Sequence, residues 1–149
     1  MKGPEMITRE ADYALRALIF LAGCDCTLTT LELSEKLDIP YPFLRRIVNT
    51  LDSAEILTAS RGKKGGVVLR KNPSLISLFE VLSLFDMRGL TLNSCLYPDE
   101  SKSSSQEKFC PRSPECPAHK VLSSLQNKMH DELRSINLNM LMKQDFSQV

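Results

Sequence analysis

TTLELSEKLDIPYPFLRRIVNTLDSAEILTASRGKKGGVVL, residues 29–69, is the stretch whose reading decides the fold. Thr29 followed by Glu32 has the capping-box spacing, in which the threonine side chain accepts a backbone N–H of the first helical turn and the glutamate reaches back to the cap. Leu33 and Leu37 then mark one face of a short helix ending near Leu37. After the turn Asp38-Ile39-Pro40-Tyr41, Pro42 stands where a helix tolerates proline best, at its first position. Leu44, Ile47, Val48 and Leu51 repeat at the helical interval and are expected to face a core, leaving Arg45, Arg46 and Asn49 outward. Residues 56–60 read as a strand, residues 61–66 (RGKKGG) as a turn, and Val67, Val68 and Leu69 as the returning strand. Two core helices with a solvated basic face would explain the helical half alone. A basic hairpin directly after the second helix favours a winged helix-turn-helix, with the helix in the major groove of double-stranded DNA and the wing on the backbone.

Charge supports that reading. Between Pro42 and Asn72 stand the bases Arg45, Arg46, Arg61, Lys63, Lys64, Arg70 and Lys71 and the acids Asp52 and Glu55. Seven against two is a local +5 in a chain of net charge +1, which leaves −4 elsewhere. A patch this concentrated attracts phosphate polyanions. Tyr41, Arg45, Arg46 and Asn49 are the candidates at or near the major groove, and Ser60, Arg61, Lys63 and Lys64 those at the wing. The glycines of residues 62–66 lack the spacing of a phosphate-binding loop and its lysine followed by Ser or Thr, so no nucleotide site is expected.

Upstream, Thr8 is a candidate N-cap for a helix that opens with Arg9, Glu10 and Asp12 and turns apolar on almost every side from Tyr13 to Gly23. Its most apolar run is ten residues and contains Arg16, too short to span a membrane. Downstream, Ser74 is expected to begin a helix marked by Leu75, Leu78, Val81, Leu82 and Phe85 and stopped at Gly89. Ala118, Leu122, Leu125, Met129, Leu133, Ile136 and Met140 then predict one amphipathic helix of at least six turns, about 35 Å long. Its stripe is expected to pack on a second copy in a homodimer, with packing along its own domain the alternative, and His130 off the stripe is expected to be exposed and inactive.

The five cysteines divide into two groups. Cys24-x-Cys26 follows the first helix with no other ligand type nearby, so structural or incidental thiols are expected there, with a second metal or redox site the alternative. Cys95, Cys110, Cys116 and His119 lie around a polar segment, SKSSSQ at its centre, and immediately before the long helix. Three thiolates and an imidazole are a ligand set for an iron-sulfur cluster, with structural zinc or a thiol redox switch at the same residues the alternative. No basic and apolar leader with a small-residue cleavage site opens the sequence, and a cytoplasmic protein whose cysteines are thiols is the expectation. With two histidines and no nucleophile, base and orienter set, an enzyme acting on a small-molecule substrate is not expected.

Asp12-Tyr13-Ala14-Leu15-Arg16-Ala17-Leu18, the wing sequence RGKKGG at 61–66 and the ending Cys110-x5-Cys116-x2-His119 occur in this order, and with these pieces the chain resembles the Rrf-two family of bacterial winged-helix transcriptional regulators. The resemblance runs from about Ile7 to Leu141. It implies a mainly α fold with a small β-hairpin: a winged helix-turn-helix at 1–90, a cluster-binding loop at 91–119, and a dimerisation helix and tail at 120–149. It also implies a homodimer on a palindromic operator, with a 2Fe-2S or 4Fe-4S cluster on Cys95, Cys110 and Cys116. A fourth ligand is implied at His119 in one branch of the family and at Asp12, reaching across the dimer, in another. The chain departs from the family in the fourteen residues between Cys95 and Cys110, where a handful is usual. Loop closure costs only about 0.6 kcal/mol per doubling of length, so Cys95 remains in the set.

Overall fold

The structure, a computed structural model, describes residues 7–24, 26–60, 65–86, 88–96, 110 and 112–143. Helix α1 (Arg9–Gly23) is capped by Thr8, whose hydroxyl accepts from Ala11 N–H, and buries Ala11, Ala14, Ala17, Leu18 and Leu21. Three alanines among these five let other elements approach its axis closely. It packs against α2 (Thr30–Leu37), α3 (Tyr41–Ser53), α4 (Leu78–Phe85), α6 (Leu138–Lys143) and the returning strand of the hairpin.

The capping box at α2 is complete: Thr29 Oγ1 accepts from Glu32 N–H and Glu32 Oε2 accepts from Thr29 N–H. These bonds hold the Glu32 carboxyl below its ordinary pKa, the backbone bond from Thr29 contributing most. Asp38, left-handed at φ 52°, ends the helix, and its N–H and that of Ile39 donate to Glu35 and Ser34 carbonyls. Asp is among the few side chains that tolerate this conformation. α3 follows with Pro40 as cap and Pro42 one position later than expected. Its four expected core residues, Leu44, Ile47, Val48 and Leu51, are all buried.

Strands β1 (Leu57–Ala59) and β2 (Val67–Leu69) pair antiparallel, Leu57 with Leu69 and Ala59 with Val67. Leu28 adds a third backbone to this hairpin, its carbonyl accepting from Val67 N–H at 2.7 Å. The main core gathers Leu18, Leu33, Leu44, Leu51, Ile56, Leu57, Ile76 and Leu138 among its members. No helix among the described residues is long and apolar enough to cross a membrane.

The second half departs from the expected pattern twice. The helix expected from Ser74 is a 3-10 turn at Pro73–Leu75, and α4 starts only at Leu78, with Ser77 as its cap. Leu75, placed by periodicity on the apolar face, is 73% exposed. The single helix expected from Ala118 to Met140 is two: α5 (Pro117–Ser135), 19 residues and about 28 Å long, and the short α6. One cause accounts for both breaks. Leu78 N–H donates to Ile136 O at 2.8 Å and Leu138 N–H to Ile76 O at 2.9 Å, so the segments around Ser77 and Asn137 pair as extended backbone. Leu138, 1% exposed, is thereby turned into the main core.

Candidate DNA-binding surface and metal-ligand site

The outward face of α3 carries Tyr41, Arg45, Arg46 and Asn49, all exposed as the periodicity requires. Their electrostatic situations differ. Among the described residues Arg45 enters no ion pair. Arg46 is held by Glu10 of α1 at 2.9 Å and lies over the Phe43 ring, 5.1 Å from its centroid. Glu10 and Phe43 are therefore residues that sequence reasoning missed. Phe43 stands one helical turn before Arg46, a spacing visible in the sequence, whereas no local signal links Glu10 to a residue 36 positions away.

The basic patch is narrower than its charge count. Arg70 pairs with Glu55 at 3.0 Å and Lys71 with Glu80, so these two bases are locally neutralised. Arg61, Lys63 and Lys64 lie outside the described residues. Ser60 is at the wing's root: its hydroxyl accepts from Gly66 N–H and its own N–H donates to Gly66 O at 3.0 Å. Tyr41, Leu31, Ser60 and Gly65 line a shallow cleft of about 280 Å³ between the wing and the helix pair.

Of the expected metal ligands, two are brought together. Cys95 sits in a 3-10 turn at Ser94–Leu96 and His119 in the first turn of α5, and His119 Nδ1 lies 3.5 Å from Cys95 Sγ. Two ligands of one tetrahedral metal, with metal–sulfur near 2.3 Å and metal–nitrogen near 2.0–2.1 Å, stand about 3.6 Å apart. The pair therefore fits a shared iron or zinc. Cys116 is the N-cap residue of the same helix, three positions before His119, with its thiol free of any capping bond. Cys110 is a half-buried free thiol whose carbonyl accepts from Ser113 N–H. Among the described residues no three of these donors converge. Asp12 lies apart, in a half-exposed ion pair with Arg16 at 3.0 Å.

Two side-chain bonds to backbone, two and three turns beyond His119, fasten α5 to residues 90–92. Gln126, largely buried, accepts from Leu92 N–H at 3.0 Å. His130, expected to be exposed and inactive, is instead half-buried: its Nε2–H donates to Leu90 O at 2.8 Å and its ring packs against Phe79, centroids 4.9 Å apart. Its side of α5 meets α4, as that of Leu133 from the expected stripe also does. At the other cysteine pair the expectation of thiols is also corrected, because Cys24 and Cys26 are joined as a disulfide.

The chain is similar to several solved structures. Against T. potens IscR the identity is 17% and the TM-score 0.66, covering 95% of this chain and 88% of that one. CymR from Staphylococcus aureus matches at 21% identity and TM-score 0.64, covering 94% and 100%. The CymR of B. subtilis, described as its global cysteine regulator, matches at 19% and 0.65, covering 97% and 100%. At such identities the likeness establishes the fold. Family membership rests on the sequence model of the Rrf2 (Rrf-two) family, described as iron-dependent transcriptional regulator, which matches residues 7–144. A capped helix-turn-helix, a hairpin wing and a match over nearly the whole length make this chain a member of the Rrf2 family of transcriptional regulators, DNA-binding winged-helix proteins and not enzymes.

Proposed function

We propose that the chain acts as a homodimeric regulator whose operator affinity is set by an iron-sulfur cluster held by Cys95, Cys110, Cys116 and His119. The observation that carries the reading is the approach of His119 Nδ1 to Cys95 Sγ, 3.5 Å across 24 residues of chain. Residues this far apart in sequence meet at ligand spacing only because α5 and the Ser94–Leu96 turn are fastened together, through Gln126 and Leu92 among others. Bound there, a cluster supplies an iron with one imidazole ligand, chemically distinct from its thiolate-only neighbours and a natural point of attack for an oxidant, nitric oxide or iron loss. Asp12 of a second copy is the rival for the fourth position. Val121 and Leu125, one turn apart on α5 and 67% and 53% exposed, form an apolar face that a second copy would cover.

In the DNA complex Arg45 and Asn49 read base edges and Tyr41 contacts the backbone beside them. Ser60, Arg61, Lys63 and Lys64 hold phosphates. Arg46 meets a phosphate in competition with the Glu10 carboxylate. The test is anaerobic purification followed by absorption and Mössbauer spectroscopy, with operator affinity measured for cluster-loaded and cluster-free protein. A brown protein whose two forms differ in affinity is expected. Equal affinity refutes sensing and leaves DNA binding standing.

Zinc is the second reading, favoured by the same 3.5 Å pair, since three cysteines and one histidine complete a tetrahedral site. A colourless protein carrying one zinc per chain, unchanged by anaerobic treatment with iron and sulfide, would establish it in place of the cluster.

A further inference from the structure

Cys24 and Cys26 stand outside the ligand set. Their Cα atoms are 5.2 Å apart, a separation a disulfide spans without moving the backbone, and their sulfurs are bonded. Cys95, Cys110 and Cys116 are free. The chain thus carries two sulfur groups in different chemical states.

The position of the bonded pair gives it a consequence. Cys24 terminates α1, and Cys26 leads through Thr27 into Leu28, the residue whose carbonyl accepts from Val67 at the start of β2. Thr27 presses on the wing as well, its Cγ2 lying where a side chain at Gly66 would have to go. The two residues after Cys26 are therefore among those that fasten the wing to the body, beside the Ala59 N–H bond to Asp52 and the burial of Leu57 and Val67 in the core. Both cysteines are half-buried and line an open cleft of about 450 Å³ together with Val68, Arg70 and Lys71, so a small thiol can reach the bond.

We propose that Cys24 and Cys26 form a reversible dithiol-disulfide site whose oxidation state sets how firmly the wing is anchored and how tightly the protein holds DNA. The thiolate of a small thiol attacks one protein sulfur, giving a mixed disulfide and releasing the other cysteine as thiolate, which takes up a proton. A second small thiol attacks the small-molecule sulfur of that mixed disulfide. The products are the protein dithiol and a small-molecule disulfide, a transfer of two electrons and two protons. In the reverse direction a small-molecule disulfide is the oxidant. Oxidised, the bond ties the end of α1 to the residue beside Thr27 and holds Leu28 on Val67. Reduced, Cys26, Thr27 and Leu28 are no longer tied to the end of α1 and the wing loosens.

The experiment compares full-length protein before and after a small dithiol. Three readouts are taken: alkylation followed by mass analysis of the peptide holding both cysteines, hydrogen exchange at Val67 N–H, and binding to a 30-base-pair duplex of arbitrary sequence at about 50 mM salt. Expected are no adducts on that peptide before reduction and two after, exchange at Val67 faster by about fivefold, and duplex affinity lower by about fivefold, the lower end of ordinary coupling between sites. Cys24→Ser/Cys26→Ser, which keeps every candidate cluster ligand, should bind like the reduced protein in either buffer. Two adducts before reduction, unchanged Val67 exchange or unchanged affinity would overturn the proposal. So would an equal response to dithiol in the double variant, which would assign the effect to Cys95, Cys110 or Cys116. The adduct count and the exchange at Val67 do not depend on whether a cluster is bound, and the double variant, which keeps every candidate cluster ligand, separates a cluster effect on affinity from one at Cys24 and Cys26.

Discussion

Replacing Gly66 by alanine tests the anchoring of the wing directly. The added methyl would lie 2.3 Å from Thr27 Cγ2 and 3.1 Å from Leu28 O. The first distance is far inside carbon-carbon contact, which has its optimum at about 3.5–4.0 Å. Thr27 is exposed, but as a β-branched residue it has few χ1 wells to escape into. Leu28 O cannot retreat without stretching its 2.7 Å bond from Val67 N–H. Overpacking of this kind costs roughly 1–3 kcal/mol. Alanine also restricts the unfolded chain, which contributes about 0.4–1 kcal/mol in the opposite direction. The clash wins, for a net loss of about 1.3 kcal/mol and a fall of about 4 °C in unfolding midpoint for a chain of this size. Urea unfolding of Gly66→Ala, Thr27→Ala and the double variant is the assay. Thr27→Ala removes the worse of the two contacts and leaves the 3.1 Å one, so the double variant should recover about half the loss, a coupling of about 0.7 kcal/mol between neighbours. A neutral Gly66→Ala, or losses that simply add, would refute the account of the wing's root.

Other consequences are as open to measurement. Thr29→Ala should cost about 1 kcal/mol in urea unfolding at neutral pH by removing the cap of α2. Because Glu32 has its carboxyl pKa depressed in the fold, the stability it contributes is complete above its unfolded value, about 4.3, and is lost as pH falls through the folded value, so the cost of Thr29→Ala should shrink below about pH 4. Lys63→Ala should weaken binding to all duplexes and lower the salt slope by about one, while Arg45→Ala should relax sequence preference by about 1–3 kcal/mol; a purely sequence-specific effect of Lys63→Ala in the same titrations would reverse the assignment. His119→Ala should yield protein with much less iron and visible absorption than Asp12→Ala after identical anaerobic isolation, and the opposite order would make Asp12 the fourth ligand.

What could be read from the sequence was what is encoded locally. Thr29 and Glu32 are three positions apart and cap each other, so the start of α2 was legible. The 3.6-residue stripe of Leu44, Ile47, Val48 and Leu51 needed only its own helix to be recognised. The errors fall where one segment answers to a distant one. Periodicity carries a single helix through Ile136 and Asn137, yet those residues are extended because, about sixty positions away, Leu78 N–H pairs with Ile136 O and Ile76 O with Leu138 N–H on either side of Asn137. The same rule explains the ligand site. Residue types point to Cys95 and His119 as candidate ligands, but their proximity depends on how α5 meets the Ser94–Leu96 turn, which no spacing records. His130 was misjudged because its partners, Leu90 O and Phe79, are on elements brought to it by packing alone.

The two candidate control points reach the DNA face by different routes, and α1 belongs to both. From His119 and Cys95 the path runs along α5, which packs mainly on α4, to a small buried cluster of Ala11, Leu82 and Leu90 with Leu15, Phe79 and Leu133 around it. Ala11 lies between Glu10, which holds Arg46 of the recognition helix, and Asp12, which holds Arg16. A shift of α4 against α1 at this cluster would therefore be felt next to Glu10, the residue paired with Arg46. From Cys24 and Cys26 the path is shorter, from the end of α1 through Leu28 to Val67 and the wing. One end of α1 holds a side chain of α3 and the other adjoins the seat of the wing, so the two proposed inputs would act on different contacts. If both act, their effects should separate by contact type: the cluster through Arg46 and α3, the disulfide through the sequence-independent grip of the wing on the backbone.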